Sequence, residues 1–149
     1  MMTGESIEIR PILRNELPQA LALVERVFMR FEAPDYAPEG IETFRTFLQT
    51  KEAVSALTFY GAFSGALPVG VLATRGNSHI ALFFVDEDHQ GQGIGRALFS
   101  AAKSACKTDL MTVNSSPYAV EIYRRLGFTP ISAEQTKDGI RFTPMKCIL

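Results

Sequence analysis

The sequence predicts a mixed α/β domain with one mostly antiparallel central sheet flanked by helices. Helical spacing of apolar residues fills much of the first 50 positions, strand-like runs follow to Val85, and helices and strands alternate after that. The chain has 149 residues, of which 46% are hydrophobic and 21% are charged. This length and composition suit one domain over residues 1–149, with the element order β-α-α-β-β-β-α-β-α-β-β.

The first third of the chain predicts a strand and two helices. Residues 6–10 alternate polar and apolar side chains, as a half-buried strand does. Asn15 suits a helix N-cap, and apolar residues then recur at helical spacing, which predicts a helix over 15–31. Two prolines interrupt that pattern, and a second helix is predicted over 38–50.

The middle of the chain is typical of an antiparallel meander. Apolar runs cover residues 57–63, 69–74 and 79–85, and glycine-containing turns separate them. The last run is apolar on both faces, which predicts a central strand.

The last third alternates helices and strands. A helix begins near Ile94, a short strand covers residues 110–113, and Ser116 caps a further helix that stops at Gly127. Residues 128–131 and 141–147 are predicted to be two closing strands, and residues 137–139 are predicted to form the turn between them.

Composition and charge argue against several classes of function. Fifteen basic and 16 acidic residues leave a net charge of −1, so the chain has no global positive field for nucleic acid. The longest apolar run is far shorter than the ~20 residues of a membrane helix, and the first residues do not resemble a signal peptide. Two cysteines and two histidines lack zinc-like spacing, so no metal site is expected. We therefore expect a cytoplasmic protein.

The most informative segment is the glycine-rich loop at residues 90–96, between an apolar strand and a helix. Gly91, Gly93 and Gly95 alternate along it. Glycine lets the backbone approach a ligand closely, and the exposed N–H groups at a helix start bind phosphate. The spacing is neither that of a Walker loop nor that of a dinucleotide fingerprint. The loop alone leaves open whether it binds phosphate or is a tight connection whose glycines serve packing.

Two motifs resemble the GNAT superfamily of N-acetyltransferases. The acyl-CoA signature of that family, Q/R-x-x-G-x-G/A, matches residues 90–95. The family also has an asparagine at the end of the next strand and then a helix ending in Y-x-x-x-G-F, which Asn114 and residues 123–128 match. The resemblance covers residues 80–128. It implies an acyl-CoA N-acyltransferase fold, whose sheet splays between two central strands.

The resemblance also implies how acetyl-CoA would bind as cosubstrate. Backbone N–H groups from Gln92 to Arg96 would hold the pyrophosphate, and Gln90 would brace the loop. The backbone of Phe84 and Val85 would pair with the pantetheine arm and polarise the thioester carbonyl. Asn114 would contact the arm from the other side of the splay. The expected cofactor-binding residues are Phe84, Val85, Gln90, Gly91, Gln92, Gly93, Ile94, Gly95, Arg96 and Asn114.

The implied reaction, attack of an amine on the thioester, requires an acid and a base. Tyr123 suits the acid because a phenol with a pKa of about 10 is protonated at neutral pH, although a core tyrosine is the alternative. Several family members have a glutamate eleven residues before the signature, where this chain has His79. Histidine, with an ordinary pKa near 6.5, can accept the proton. Glu32 or Asp35 acting through water, or solvent alone, are alternatives for the base.

The resemblance places the acceptor beside the loop between the first two helices. Phe31, Glu32, Asp35 and Tyr36 combine two carboxylates with two aromatic rings there, which suits a cationic amine. The alternative is a solvated loop whose rings pack on the core. His89, next to three acidic residues, is predicted to lie on the surface.

The leading functional prediction is an acetyl-CoA-dependent N-acetyltransferase acting on an amine of a small molecule or a protein. Transfer of a longer acyl group, transfer to a hydroxyl, and a non-catalytic acyl-CoA-binding regulatory domain are the alternatives. The resemblance also allows a homodimer. Nothing in the sequence names the acceptor.

Overall fold

An open sheet organises the chain in the computed structural model, which describes residues 6–149. Its strands, in chain order, are β1 (Ile7–Pro11), β2 (Leu57–Ser64), β3 (Leu67–Arg75), β4 (His79–Val85), β5 (Leu110–Ser115), β6 (Thr129–Pro130), β7 (Gln135–Lys137) and β8 (Ile140–Ile148). The strand order across the sheet is β1-β2-β3-β4-β5-β8-β6, and β7 pairs with β8. All pairs are antiparallel except β4 with β5, which confirms the predicted mixed and mostly antiparallel sheet.

The helices flank this sheet. They are α1 (Leu17–Phe31), α2 (Pro38–Gln49), α3 (Lys51–Ser55), α4 (Ile94–Ala105) and α5 (Val120–Leu126). The short helix α3 was not expected from the sequence. No helix within residues 6–149 is long and apolar enough to cross a membrane.

The start of the first helix differs from the prediction. Residues Arg14–Glu16 form a 3-10 turn, and its N-cap is Leu13 rather than Asn15. The Glu16 carboxylate accepts the Leu13 backbone N–H at 2.9 Å and both Arg10 Nη groups at 2.7 and 2.8 Å. Glu16, a residue of the turn itself, therefore caps the N-terminal end of this turn.

The buried apolar residues form one cluster on each face of the sheet. Leu23, Val24 and Phe28 of α1 pack with residues of β3 and β4 in one cluster. Leu98 of α4 and Tyr123 of α5 belong to the other cluster, on the opposite face. Helices on both faces explain why β4 is apolar on both sides.

A β-bulge in β4 assigns its side chains to these two clusters. Ala73 of β3 pairs with Leu82, whereas Thr74 pairs with Ile80, so one extra residue stands in β4 between them. Ile80 packs with the α4 and α5 cluster, and Leu82 with the α1 and α2 cluster. In a regular strand both side chains would lie on the same face of the sheet. The extra residue therefore places Ile80, near the start of β4, on the face opposite to that of Leu82.

The two parallel strands separate after a short contact. β4 and β5 pair only through His79 with Thr112 and Ile80 with Val113 among the described residues. β4 continues to Val85 without a partner on that side. This opening is the splay that the resemblance implied, and it leaves room between the strands at their carboxyl ends.

The C-terminal strands follow the prediction in part. The predicted pairing of the two closing strands is confirmed, since Thr129 faces Lys146 and Pro130 faces Met145. β7 forms an additional hairpin with β8 around the predicted turn. The predicted cap at Ser116 accepts the Ala119 N–H at 3.3 Å, but the regular helix begins only at Val120.

Candidate active site

A cleft of about 350 Å³ opens where β4 and β5 separate. Val27 and Glu32, from the end of α1, line it on one face of the sheet. The glycine-rich loop and α5 line it from the other face, and Phe83 to Val85 form its edge along β4. The cleft is therefore lined by residues from both faces of the sheet.

The glycine-rich loop has a backbone conformation that favours glycine. Gly91 and Gly93 have φ angles of +77° and +84°, in the left-handed region. A methyl group at either position would point into open space, so no packing contact requires the missing side chain. The alternative that the glycines serve close packing is thus not supported at these two positions.

The loop leads directly into α4. The Gln90 side chain braces it by donating Nε2–H to the Val85 carbonyl at 3.1 Å. Gly93 is the N-cap of α4, and its carbonyl accepts the Ala97 N–H at 3.0 Å. The preceding N–H groups of the first turn have no partner inside the helix, and the helix dipole adds positive potential there. These features fit the diphosphate of an acyl-CoA.

Tyr123 is held rigidly at the base of the cleft. Its ring packs edge-on against Phe83 and Phe128, with centroid distances of 5.8 and 5.4 Å, and the residue is 6% exposed. Burial raises the pKa of its phenol well above the ordinary value, and the negative charge of Glu32 raises it further. Tyr123 therefore stays protonated at neutral pH and can act as a proton donor.

Glu32 lies on the opposite side of the cleft, at the C-terminal end of α1. The Ser116 hydroxyl accepts the Ala119 N–H at 3.3 Å, and it lies close enough to the Glu32 carboxylate to donate a hydrogen bond that lowers its pKa. Burial raises the pKa of Glu32 to about 7, the Ser116 bond opposes this rise, and the negative charge of Asp35 adds to it. The carboxyl group can thus gain or lose a proton near neutral pH.

An aromatic pair forms the rim beside Glu32. The rings of Phe31 and Tyr118 stack with centroids 5.2 Å apart and an interplanar angle of 24°. Tyr118 lines the cleft and is 38% exposed. The rim thus offers flat apolar surface next to a carboxylate.

The expected cofactor-binding residues are largely brought together. Those that line the cleft are Phe84, Val85, Gln90, Gly91, Gly93, Ile94 and Gly95. Gln92 and Arg96 belong to the same loop and helix but do not line the cleft. Asn114 also lies outside it: the residue is exposed and faces Pro144 in β8. Ser116, two residues further along, is the side chain from this segment that reaches Glu32.

His79, the candidate base, lies at the other end of β4. Val85 lies six positions further along the strand, which is roughly 20 Å. Its Nδ1 is 2.8 Å from the Thr112 hydroxyl, across the short β4–β5 contact. Burial lowers the pKa of His79, and the charge of Arg75 lowers it further. The structure does not bring His79 together with Tyr123: Tyr123 lines the cleft and His79 does not.

Asp35 and Tyr36 lie next to the cleft rather than in its lining. Asp35 is the last residue of a 3-10 turn at Ala33–Asp35, and Tyr36 follows it directly. The Arg141 guanidinium donates to the Asp35 carbonyl at 2.9 Å, and the Tyr36 hydroxyl donates to the Arg141 carbonyl at 3.3 Å. The contacts fix this turn against β8.

Some lining residues were not expected from the sequence. Examples are Val27, Phe83, Tyr118, Ile122, Arg125 and His89. Tyr118 precedes α5 and Ile122 is adjacent to Tyr123, so neither lies at helical spacing from that tyrosine and no local pattern pointed to them. His89, predicted to lie on the surface beside the acidic residues, is only partly exposed: its side chain is 14% exposed, and its Nδ1 is 2.9 Å from Asp86 Oδ2. Arg26 binds the other oxygen of Asp86 at 2.9 Å and so ties α1 to this loop.

Residues 6–149 contain no cluster of three or more histidine, cysteine, aspartate or glutamate side chains that could hold a metal ion. The chemistry that the cleft's own residues offer is proton transfer, from a phenol on one side and a carboxyl group on the other.

Comparisons with known proteins show which family and which solved structures this chain is similar to. Residues 32–149 match the family profile described as "Acetyltransferase (GNAT) domain". A search of the curated proteins gives no match.

The solved structures that share this fold include the following three. A GCN5-related N-acetyltransferase from Rhodopseudomonas palustris, also described as a class-II aminotransferase, is 21% identical with a TM-score of 0.84, covering 100% of this chain and 99% of that chain. The PaiA N-acetyltransferase from Thermoplasma acidophilum, solved with coenzyme A, is 20% identical with a TM-score of 0.76, over 97% and 99%. FeeM, an N-acyl amino acid synthase from uncultured soil microbes, is 17% identical with a TM-score of 0.71, over 97% and 92%.

These low identities show a shared fold alone. The family profile, in contrast, spans most of the sequence, including the glycine-rich loop and the helix of Tyr123. The chain therefore belongs to the GNAT acetyltransferase family.

Proposed function

We propose that this protein transfers an acetyl group from acetyl-CoA to an amine by direct attack. The observation that carries the proposal is the single cleft shared by the glycine-rich loop, the unpaired end of β4 and Tyr123. The loop alone would serve any phosphate ligand, and Tyr123 alone would serve packing. Their presence in one cleft supports a reaction on a phosphate-bearing thioester.

In the proposed complex, the diphosphate lies at the first turn of α4, where Gly91 and Gly93 leave the backbone accessible. Arg125, on the same cleft, adds a positive charge for phosphate. The pantetheine arm extends along the unpaired end of β4, as an added strand does. A protein of the same fold from Thermoplasma acidophilum was solved with coenzyme A, which supports an acyl-CoA as the ligand.

Tyr123 supplies the acid in this reaction. The neutral amine nitrogen attacks the thioester carbonyl carbon, a C–N bond forms, and the C–S bond breaks. The departing sulfur takes the phenolic proton of Tyr123, and a proton from the acylated nitrogen restores the phenol. The phenol carries a proton at neutral pH, as this step requires, and burial, which raises its pKa, keeps the proton in place in the free protein.

A screen of amines tests the proposal. Polyamines, aminoglycosides, amino acids and peptides would be incubated with the protein and acetyl-CoA, and release of free thiol would be followed. Thiol release that depends on an amine, with the acetylated amine detected by mass spectrometry, is the expected result. Binding of acetyl-CoA without turnover on any amine would instead support the non-catalytic regulatory domain. Longer acyl-CoAs in the same screen test acyl chain length.

A further inference from the structure

We propose that Arg26 of α1 is a positioning residue for acetyl-CoA: by pairing with Asp86, it fixes and neutralises the acidic segment at residues 86–88, which leads into the glycine-rich loop. The inference rests on the proposed function, because it takes the diphosphate of acetyl-CoA as the ligand of that loop. Arg26 does not line the cleft, so its effect on the ligand is exerted through Asp86.

The acidic segment has the same sign of charge as the proposed ligand. Asp86, Glu87 and Asp88 come shortly before the loop, and Arg96 is the only lysine or arginine between positions 86 and 96. Unit charges about 10 Å apart still interact appreciably where water is partly excluded. Unpaired carboxylates here would therefore oppose the N–H groups and the helix dipole that attract a diphosphate to the start of α4.

Asp86 is paired on both oxygens of its carboxylate. Arg26 Nη2 donates to Oδ1 at 2.9 Å, and His89 Nδ1 is 2.9 Å from Oδ2. The Asp86 side chain is 19% exposed, so water screens its charge less than it screens a fully exposed carboxylate. Loss of Arg26 would thus leave a partly buried negative charge close to the loop.

The local turn does not explain the direction of the Asp86 side chain. Asp86 is the N-cap residue of the 3-10 turn Glu87–His89, where an aspartate commonly accepts a backbone N–H, but its side chain makes no such bond. Backbone bonds hold this segment: the His89 N–H donates to the Asp86 carbonyl at 2.9 Å, and the Asp86 N–H donates to the Val69 carbonyl at 2.8 Å. The carboxylate instead binds Arg26, which is 60 positions away in the chain.

His89 connects the Arg26–Asp86 pair to the cleft. Its ring contacts Asp86, and the residue is part of the cleft lining. The next residue, Gln90, also lines the cleft and braces the loop through its side chain. A change in the charge or position of Asp86 therefore reaches the loop through one side chain.

Arg30 repeats this arrangement one helical turn further along α1. It pairs with Glu87 at 3.4 Å, and both side chains are more than half exposed. An exposed pair contributes little, so we assign the larger effect to Arg26. Together the two arginines bring two positive charges from α1 to the three carboxylates of the acidic segment.

Calorimetric titration of the protein with acetyl-CoA tests the role of Arg26. Arg26→Gln should raise the Kd roughly 3- to 10-fold at low salt, because it leaves a negative charge unpaired near the diphosphate. Arg26→Lys keeps the positive charge and should stay within about 2-fold of the wild type. Arg45→Gln is the matched control. Arg45 also pairs with a carboxylate, Glu25 at 3.0 Å, but neither residue lines the cleft, and the Kd should not change.

Two measurements distinguish a charge effect from a packing effect. Asp86→Asn removes the negative charge, and its amide oxygen can still accept a hydrogen bond from His89. Added to Arg26→Gln, it should restore most of the lost affinity. Raising KCl to about 0.5 M should reduce the difference between Arg26→Gln and the wild type, because salt screens the repulsion. A double variant that binds no better than Arg26→Gln would overturn the proposal.

The outcomes separate this inference from the proposed function. A wild type that does not bind acetyl-CoA refutes both. An equal Kd for Arg26→Gln and the wild type refutes only the role of Arg26. Binding without turnover on any amine refutes the proposed function, but the role of Arg26 is still tested, because the titration measures binding alone.

Thermal melting without ligand shows which variants are folded before their Kd values are compared. If Arg26→Gln does not fold, Asp86→Asn by itself provides the test. With Arg26 present and the carboxylate removed, acetyl-CoA should bind at least as tightly as it does to the wild type. Clearly weaker binding to folded Asp86→Asn would contradict the proposal.

Discussion

Gly40 and Gly139 pack backbone against backbone, although 99 positions separate them in the chain. A methyl group on Gly40 would overlap the carbonyl oxygen of Gly139, and one on Gly139 would overlap the backbone of Gly40. Beside them, the Thr43 hydroxyl donates to the Asp138 carbonyl at 2.7 Å. This contact joins the first turn of α2 to the β7–β8 turn. It therefore fixes the position of α2 at the end of the segment that connects Glu32 to this helix.

Gly40→Ala should destabilise the protein, in contrast to most glycine-to-alanine changes within helices. Alanine normally gains about 0.5–1 kcal/mol over glycine in a helix. Here the methyl group would force two backbones apart, and overpacking costs about 1–3 kcal/mol. Urea unfolding measures the difference. Gly95→Ala, in α4, is the control: its methyl group would meet Phe83 at an ordinary 3.5 Å, and the change should not destabilise.

Acetyl-CoA should raise the melting temperature of the wild type, and Gly93→Leu should abolish that rise. A ligand at 100 times its Kd stabilises the native state by about 2.7 kcal/mol. The leucine side chain would occupy the space that the loop leaves for the ligand.

Gly76→Leu is the matched control for that experiment. Gly76 also has a left-handed φ, +64°, and open space around it, but it lies in the β3–β4 turn away from the cleft. Both variants should lose a similar amount of intrinsic stability. An equal loss of the acetyl-CoA shift in both would argue against ligand binding at the loop.

Tyr123→Phe should lower kcat by roughly 10–10²-fold and leave acetyl-CoA affinity nearly unchanged. The phenylalanine ring keeps the contacts with Phe83 and Phe128, so only the hydroxyl is lost. Steady-state kinetics and a binding titration separate the two effects. Tyr60→Phe, on β2 and outside the cleft lining, controls for the loss of a phenol. Undiminished turnover in Tyr123→Phe would leave that tyrosine a packing residue.

The ligand-free protein should lose stability relative to Glu32→Gln as pH rises from 5 to 8. The pKa of Glu32 is raised to about 7 in the folded state, so the folded protein holds a proton that the unfolded chain releases near pH 4.5. The stability linked to this proton is fully present below pH 4.5 and is lost as pH rises through 7. With about 1.4 kcal/mol per pKa unit and a half-buried carboxyl group, we expect roughly 1–3 kcal/mol. Urea unfolding of both proteins at pH 5 and pH 8 measures the change; a constant difference would contradict the raised pKa.

Elements with strong local signals were predicted well. α1, α2 and the three-strand meander follow the apolar spacing within a few residues. The short elements α3 and β7 were missed, since five and three residues carry too little periodicity to be recognised. β7 forms because β8 provides an antiparallel partner, and pairing partners are not visible in a local pattern.

The sequence by itself determined the glycine-rich loop, the helix that carries Tyr123 and the family that these two motifs indicate. Spacing within one loop and one helix is enough for that, because the motif residues are neighbours along the chain. Only the tertiary structure decided which other groups face Tyr123. Glu32 lies beside Ser116 although 84 positions separate them in the chain. His79, which counting along the sequence had suggested as the base, lies at the end of β4 that is far from the cleft. Burial, which raises the pKa of Glu32, comes from α1 packing beside the opened strands, and that contact exists only once the chain has folded.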